Sequence, residues 1–273
     1  MNPCGDVDSE RVMDLNLRGK AAVVTGASRG IGRAVAVGLA SEGCELHVVA
    51  RTRDLLDELA RELIERFGIR VEVHACDITA ADFAAEMVSK IGAVDILVNN
   101  AGAIPRGNLN EVDEERWRQG WELKVFGYIR LCRLFYPLMC DRRAGVIINV
   151  IGVSGQRADA NYIATATANA GLMMFSESLG GESVRYGVRV VGVNPGIVAT
   201  DRFMRNIRQR ATKMYGDESR WTEILSDLPI GRLAKPEEIS DAIVFLASER
   251  AGYISGVTIT IDGGLKSRPP TGI

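Results

Sequence analysis

Short apolar runs alternate with amphipathic stretches along nearly the whole chain. The runs are KAAVVTG (20–26), CELHVVA (44–50), RVEVHAC (70–76), VDILVNN (94–100), VIINV (146–150), VRVVGVNPG (188–196) and VTITIDGG (257–264). Between them, RAVAVGLASEG (33–43), LLDELARELIERFG (55–68), ADFAAEMVSKIG (81–92) and PEEISDAIVFLAS (236–248) read as helices by their apolar spacing. Two longer helices are predicted, from about 113 to 140 and from about 161 to 186. Strand, helix and strand repeated in this way predict an α/β fold, with parallel strands joined by right-handed crossovers and helices on both faces. The strands are almost wholly apolar, as a sheet covered on both sides requires. No proline-rich linker or repeat divides the chain, so a single domain is expected over 16–264, with a lead-in at 1–15 and a tail at 265–273. Only residues 200–228 break the rhythm, as a long insertion just after a strand's C-terminal end.

Composition removes several classes of partner. The 273 residues are 47% hydrophobic and 25% charged, enough apolar material for one large core. A formal net charge of -2 gives no electrostatic reason to expect nucleic acid or an anionic membrane. No apolar run approaches a membrane span, and MNPCGDVDSERVMDLNLRGK at the start lacks an apolar signal core, so a cytoplasmic protein is expected. Five cysteines at 4, 44, 76, 132 and 140 make neither a disulfide framework nor a metal-ligand spacing. His47 and His74, the only histidines, both lie inside strand-like runs, which excludes a three-histidine zinc site. A Ser-His-acid triad would have to recruit one of them. No metal is expected.

The first run leads into TGASRGIG (25–32) and then directly into a helix. Gly26 permits the tight turn, Gly30 lets backbone approach a ligand, and Gly32 lets the helix pack closely on the strand. The positive N-terminus of that helix suits a pyrophosphate. This pattern, NNAG at 99–102 and NPG at 194–196 followed by Thr200 together resemble the short-chain dehydrogenase/reductase family over roughly residues 16–264.

The resemblance implies a Rossmann-type, doubly wound, seven-stranded parallel sheet binding a dinucleotide at its switch point. Residue by residue, it implies that Gly26, Ser28, Arg29, Gly30, Ile31 and Gly32 form the nucleotide turn. Asp77 and Ile78 would contact adenine, and Asn100, Ala101 and Gly102 would line the adenosine-ribose side. Pro195, Gly196, Val198 and Thr200 would hold the nicotinamide carboxamide. In users of NAD the second strand ends on a carboxylate that accepts from the ribose 2′-hydroxyl. Here that position is Ala50, followed by Arg51, with Arg29 in the turn. Two guanidiniums can clamp a 2′-phosphate, so NADP(H) is expected rather than NAD(H).

At the catalytic end the family pattern fails. The family uses a tyrosine, a lysine four residues on, an orienting serine and an asparagine on the preceding long helix. Counting from flanking landmarks puts these positions at Thr165, Asn169, Gly152 and Lys124. Sliding by three would make Tyr162 the tyrosine, with Ala166 then in place of the lysine, and a two-residue shift would make Ser154 the serine. A physical substitute is available. Tyr162 lies one helical turn before Thr165, and Lys124 could lower its pKa by favouring phenolate. The candidate catalytic residues are therefore Tyr162, Lys124, Thr165 and Asn169.

The activity implied is transfer of a hydride between nicotinamide and a carbonyl or alcohol substrate. The alternatives are a nucleotide-binding pseudoenzyme, serving as sensor or structural subunit, and a non-redox enzyme on the same scaffold. Residues 200–228 would then be the substrate lid, and 201–216 carries Arg202, Arg205, Arg208, Arg210 and Lys213 against Asp201. Such a lid could favour an anionic substrate, or simply present a solvated helix face. The family resemblance of SGVTITIDGG implies a homodimer or homotetramer.

Overall fold

The computed structural model describes residues 13–80, 83–226 and 228–268. Most of the expected lead-in, with Cys4, and the last five residues of the tail lie outside them. The apolar runs form β1 Ala21–Thr25, β2 Glu45–Ala50, β3 Val71–Ala75, β4 Ile96–Asn99, β5 Gly145–Val150, β6 Val188–Pro195 and β7 Val257–Ile261. They make one seven-stranded parallel sheet in the order β3-β2-β1-β4-β5-β6-β7. The chain runs outward from β1 to β3, then returns to the other side of β1 with β4. The C-terminal ends of β1 and β4 thus border the crevice where such sheets take ligands.

In chain order the helices are α1 Gly30–Ser41, α2 Arg53–Phe67, α3 Phe83–Ile91, α4 Glu114–Trp121, α5 Gly127–Arg142, α6 Ile163–Ser183, α7 Asp201–Tyr215, α8 Trp221–Ile224 and α9 Pro236–Ala247. On one face Leu39, Leu56, Leu63 and Ile243 of α1, α2 and α9 pack with Val24 and Val48. On the other, Phe83, Leu131, Phe135 and Met139 of α3 and α5 pack with Val23 and Val49. Neighbouring strand residues go to opposite cores, which is the two-residue pleat of a fully covered sheet. Among the described residues no helix is long and apolar enough to cross a membrane.

One departure from the expected elements matters for the site. The helix predicted from 113 to 140 is broken by a π-helical turn over Glu122–Phe126, with Lys124 at its centre. Such turns insert a residue into the helical ladder and concentrate at functional sites. The insertion after β6 holds α7 and α8, with Ile207 and Ala211 burying one side of α7 as its apolar spacing implied. A polar ladder fixes α6 against the sheet. Asn99 Nδ2 donates to Asn149 Oδ1 at 2.8 Å, and Asn149 Nδ2 donates to Ser176 Oγ of α6 at 2.9 Å.

The turn after β1 has no spare volume. A Cβ on Gly32 would stand 2.3 Å from the Gly26 carbonyl oxygen and 2.4 Å from Asn100 Nδ2. Gly32→Ala is therefore expected to lose about 1–3 kcal/mol or more. Gly181→Ala, on α6 where a Cβ meets nothing within 4 Å, should gain about 0.5–1 kcal/mol. Chemical denaturation of the two variants checks both signs.

Candidate active site

The nucleotide end is built around the first turn. Gly26 and Gly30 have φ of 66° and 58°, a region that glycine enters without strain. α1 starts with no acidic residue in its first turn and no side-chain cap, so its N–H groups remain available to an anion. Thr25 Oγ1 accepts from Asn100 N at 2.9 Å and from Ala101 N at 3.1 Å, holding NNAG against the turn. From the other side, Thr200 Cγ2 lies 3.1 Å from where a Gly30 Cβ would be. The Thr200 hydroxyl caps α7 by accepting from Phe203 N at 3.3 Å. Segments 25–32, 99–102 and 195–200, far apart in sequence, thus share one end of the sheet.

The rim of this crevice is basic. A cleft of about 680 Å³ is lined by Arg51, Asp77, Thr79, Arg106, Arg116 and Arg202 among others. Asp77 Oδ1 accepts from Thr79 N at 2.9 Å and Thr79 Oγ1 at 2.8 Å. The Thr79 hydrogen bonds hold the Asp77 carboxyl below its usual range, and the nearby Arg51 charge lowers it further. Arg29 and Arg51 are both exposed. Of the five cations of α7, Arg202 and no other lines the cleft, reaching the Gly102 carbonyl at 3.4 Å.

Two of the four candidate residues, Lys124 and Asn169, meet at the loop after β5, and Thr165 lies one turn before Asn169 on α6. Lys124 rises from the π-turn, and its stem crosses Gly102, where a Cβ would meet Lys124 Cδ at 2.9 Å. Its ammonium donates to the Ile151 carbonyl at the end of β5. On the next peptide, Asn169 Nδ2 of α6 donates to the Gly152 carbonyl at 3.1 Å and to Ser154 Oγ at 2.8 Å. Asn194 Oδ1 accepts from Gly152 N at 3.2 Å, which pins this loop to β6. The Asn169 carbonyl oxygen Oδ1 and Thr165 Oγ1 are buried and find no partner among the described residues. Burial, and then the Arg202 charge, bring the Lys124 ammonium from 10.5 down to about 8.

Tyr162 stands differently from the expectation. It is the residue before α6, with the Arg106 guanidinium 4.5 Å over its ring. Burial raises its pKa; Arg106 and Arg210 pull the other way without prevailing, and Asp159 adds to the rise. The expected lowering by Lys124 is therefore not what its surroundings produce, since the cations beside the phenol are arginines. Arg106 and the Ile151 carbonyl escaped the sequence analysis. Arg106 follows NNAG by four residues, a spacing that could have drawn attention; a backbone carbonyl leaves no such trace.

The fold and the glycine turn define a dinucleotide-binding α/β protein, and comparison with known proteins narrows the class. The family model for short chain dehydrogenases matches residues 20–211. The chain is 37% identical over 258 residues to the 3-oxoacyl-(acyl-carrier-protein) reductase FabG of Vibrio cholerae, covering 92% of this chain and 99% of that protein. It is 35% identical to the Escherichia coli FabG over 255 residues, with the same coverage. Among solved structures it is similar to L-sorbose reductase from Gluconobacter frateurii complexed with NADPH and L-sorbose. That match has a TM-score of 0.87 and 37% identity, covering 94% of this chain and 100% of the other. The chain belongs to the short-chain dehydrogenase/reductase family and is an oxidoreductase of that class.

The buried ammonium has a consequence for stability. Lysine titrates near 10.5 when unfolded and Lys124 near 8 when folded. Between those values the unfolded chain holds more protons, so the Lys124 contribution to stability rises with pH across that window, by ~3 kcal/mol in total. Lys124→Met removes it. The stability advantage of the variant over the wild type should therefore be largest near pH 7 and shrink from pH 8 to 10, measured by urea denaturation.

Proposed function

We propose that the protein is an NADP(H)-dependent carbonyl reductase and alcohol dehydrogenase whose catalytic groups are rearranged relative to the family's usual tyrosine, lysine, serine and asparagine. One observation carries this reading. Asn169 Oδ1 and, one turn earlier on α6, Thr165 Oγ1 are buried with no partner among the described residues, and the Asn169 amide holds the Gly152 carbonyl next to the Ile151 carbonyl that the Lys124 ammonium engages. Unpartnered buried polar atoms are costly, and a ligand that bonds to them accounts for their retention.

The residues fit a dinucleotide: Gly26 and Gly30 hold the positive φ that shapes the turn, and the N–H groups at the start of α1 carry no side-chain cap. Arg29 and Arg51 supply the charge for a 2′-phosphate, Ser28, Ile31 and the start of α1 take the pyrophosphate, and Asp77 and Ile78 border adenine. Asn100, Ala101 and Gly102 line the adenosine ribose, and Pro195, Gly196, Val198 and Thr200 face the carboxamide. Asn169 Oδ1 accepts from a ribose hydroxyl. When bound, the nicotinamide supplies or takes the hydride. Thr165 orients the substrate oxygen. The Lys124 ammonium gives that oxygen a proton as it becomes an alcohol, becoming an amine that water reprotonates. Tyr162 and Arg106 form the mouth of the pocket, and α7 serves as its lid. The support for NADP(H) includes the NADPH named for the solved relative.

Self-association belongs to the same reading. Val257, the first residue of β7, and Tyr253 shortly before it are exposed at the last strand of the sheet, and Met174 is exposed on α6. An unpaired edge flanked by apolar side chains favours a second copy.

Lys124 carries a proton below about pH 8 in the free protein. The kcat/KM for NADPH-driven reduction of a panel of ketones and β-keto esters should hold below that pH and fall tenfold per unit above it. Lys124→Met should lower it by about 10²–10⁴-fold, whereas Tyr162→Phe stays within a few-fold. Full turnover in Lys124→Met sinks the assignment of the proton donor. Tight NADPH binding with no turnover of any carbonyl favours the pseudoenzyme instead. Arg51→Glu should shift cofactor preference toward NADH at least tenfold, read by titrating both nucleotides.

A further inference from the structure

Away from the nucleotide crevice, two strands bring together three metal-binding side chains. His47 of β2 pairs in register with Glu72 of β3, and His74 stands two residues further along β3. The pleat therefore puts all three on one face of the sheet. His47 Nδ1 is 3.1 Å from His74 Nε2 and 3.5 Å from Glu72 Oε2, which is 3.9 Å from His74 Nε2.

Those separations are the relevant quantity. Tetrahedral zinc binds imidazole nitrogen and carboxylate oxygen at about 2.0–2.2 Å, which sets its ligand atoms roughly 3.3–3.6 Å apart. The three atoms already stand near three corners of that tetrahedron. A single ring proton on the His47–His74 edge can serve one of the three contacts, whereas a divalent cation serves all three. His74 is buried and the other two are half-buried. Arg70 engages Glu72 Oε1 from the solvent side, leaving Oε2 turned to the histidines. An outer partner of this kind fixes the orientation of a ligating carboxylate.

We propose that His47, His74 and Glu72 form a binding site for a first-row divalent cation of the zinc class, with the fourth position left to water. His47 precedes Ala50 by three residues and His74 precedes Asp77 by three. The site thus lies about 10 Å down the strands from the adenosine end of the crevice. Such a cation would staple the edge strand β3 to β2 and take no part in hydride transfer.

The test uses tag-free, full-length protein stripped with a chelator and titrated with zinc alone in a calorimeter. One zinc per chain at micromolar affinity or tighter is expected, together with a rise in Tm at saturating zinc. Glu72→Gln and His74→Gln should each weaken binding at least tenfold while NADPH affinity stays unchanged. Should His74→Gln fail to fold, Glu72→Gln at its half-exposed position gives the same readout. Cobalt substituted in the wild type should show the intense visible bands of a tetrahedral site. Absence of stoichiometric zinc uptake by the wild type overturns the proposal. So does equal affinity in Glu72→Gln, which would place the metal elsewhere on the chain.

Discussion

The closeness of β1 to the start of α1 governs the rest of the molecule. The Gly26 carbonyl and the Asn100 amide occupy the space that a side chain on Gly32 would need. Thr25 completes the arrangement: its hydroxyl accepts from two consecutive backbone amides of NNAG and donates to the Val98 carbonyl. One short side chain thus ties β1 to β4 at the place where the strand order reverses. That tie sets the width of the crevice, and the unshielded N–H groups of α1 face into it. Everything that the site does electrostatically depends on this end of the sheet being held at fixed width.

The catalytic end rests on a different balance. An ammonium in a poorly solvated place loses hydration, and the Ile151 carbonyl returns only part of it. The absence of a side chain at Gly102 gives the lysine stem its route, and the π-turn gives the stem its direction. Asn169, by contrast, spends its amide on the Gly152 and Ser154 oxygens, which leaves its carbonyl oxygen as an acceptor and no charge at that point. Positive charge here comes from α4–α5 rather than from α6.

The strands, their covering by helices and the glycine turn were legible because each is written in a local period or a fixed spacing. TGASRGIG, NNAG and NPG each lie within a few residues, so their chemistry could be read before their positions were known. The break at Lys124 was not legible. Nothing in ELKVF marks a π-turn. Tyr162 was misjudged for a related reason: its pKa depends on Arg106 and on burial, both set by the path of the loop after NNAG. His47, Glu72 and His74 were visible singly, and cysteine and histidine counting passed over them. Their meeting depends on the parallel register of β2 and β3, which no spacing along one strand encodes.

Gly152 limits what the loop after β5 can accept. Its φ is 125°, and a Cβ there would stand 3.1 Å from Asn169 Nδ2. A serine at 152 therefore enters a backbone conformation that disfavours any L side chain, against an amide already committed to the same loop. A lysine at 169 forfeits the two hydrogen bonds that hold that loop in place. Either substitution made alone therefore costs stability. The two positions are thus coupled through the one loop that both hold in place.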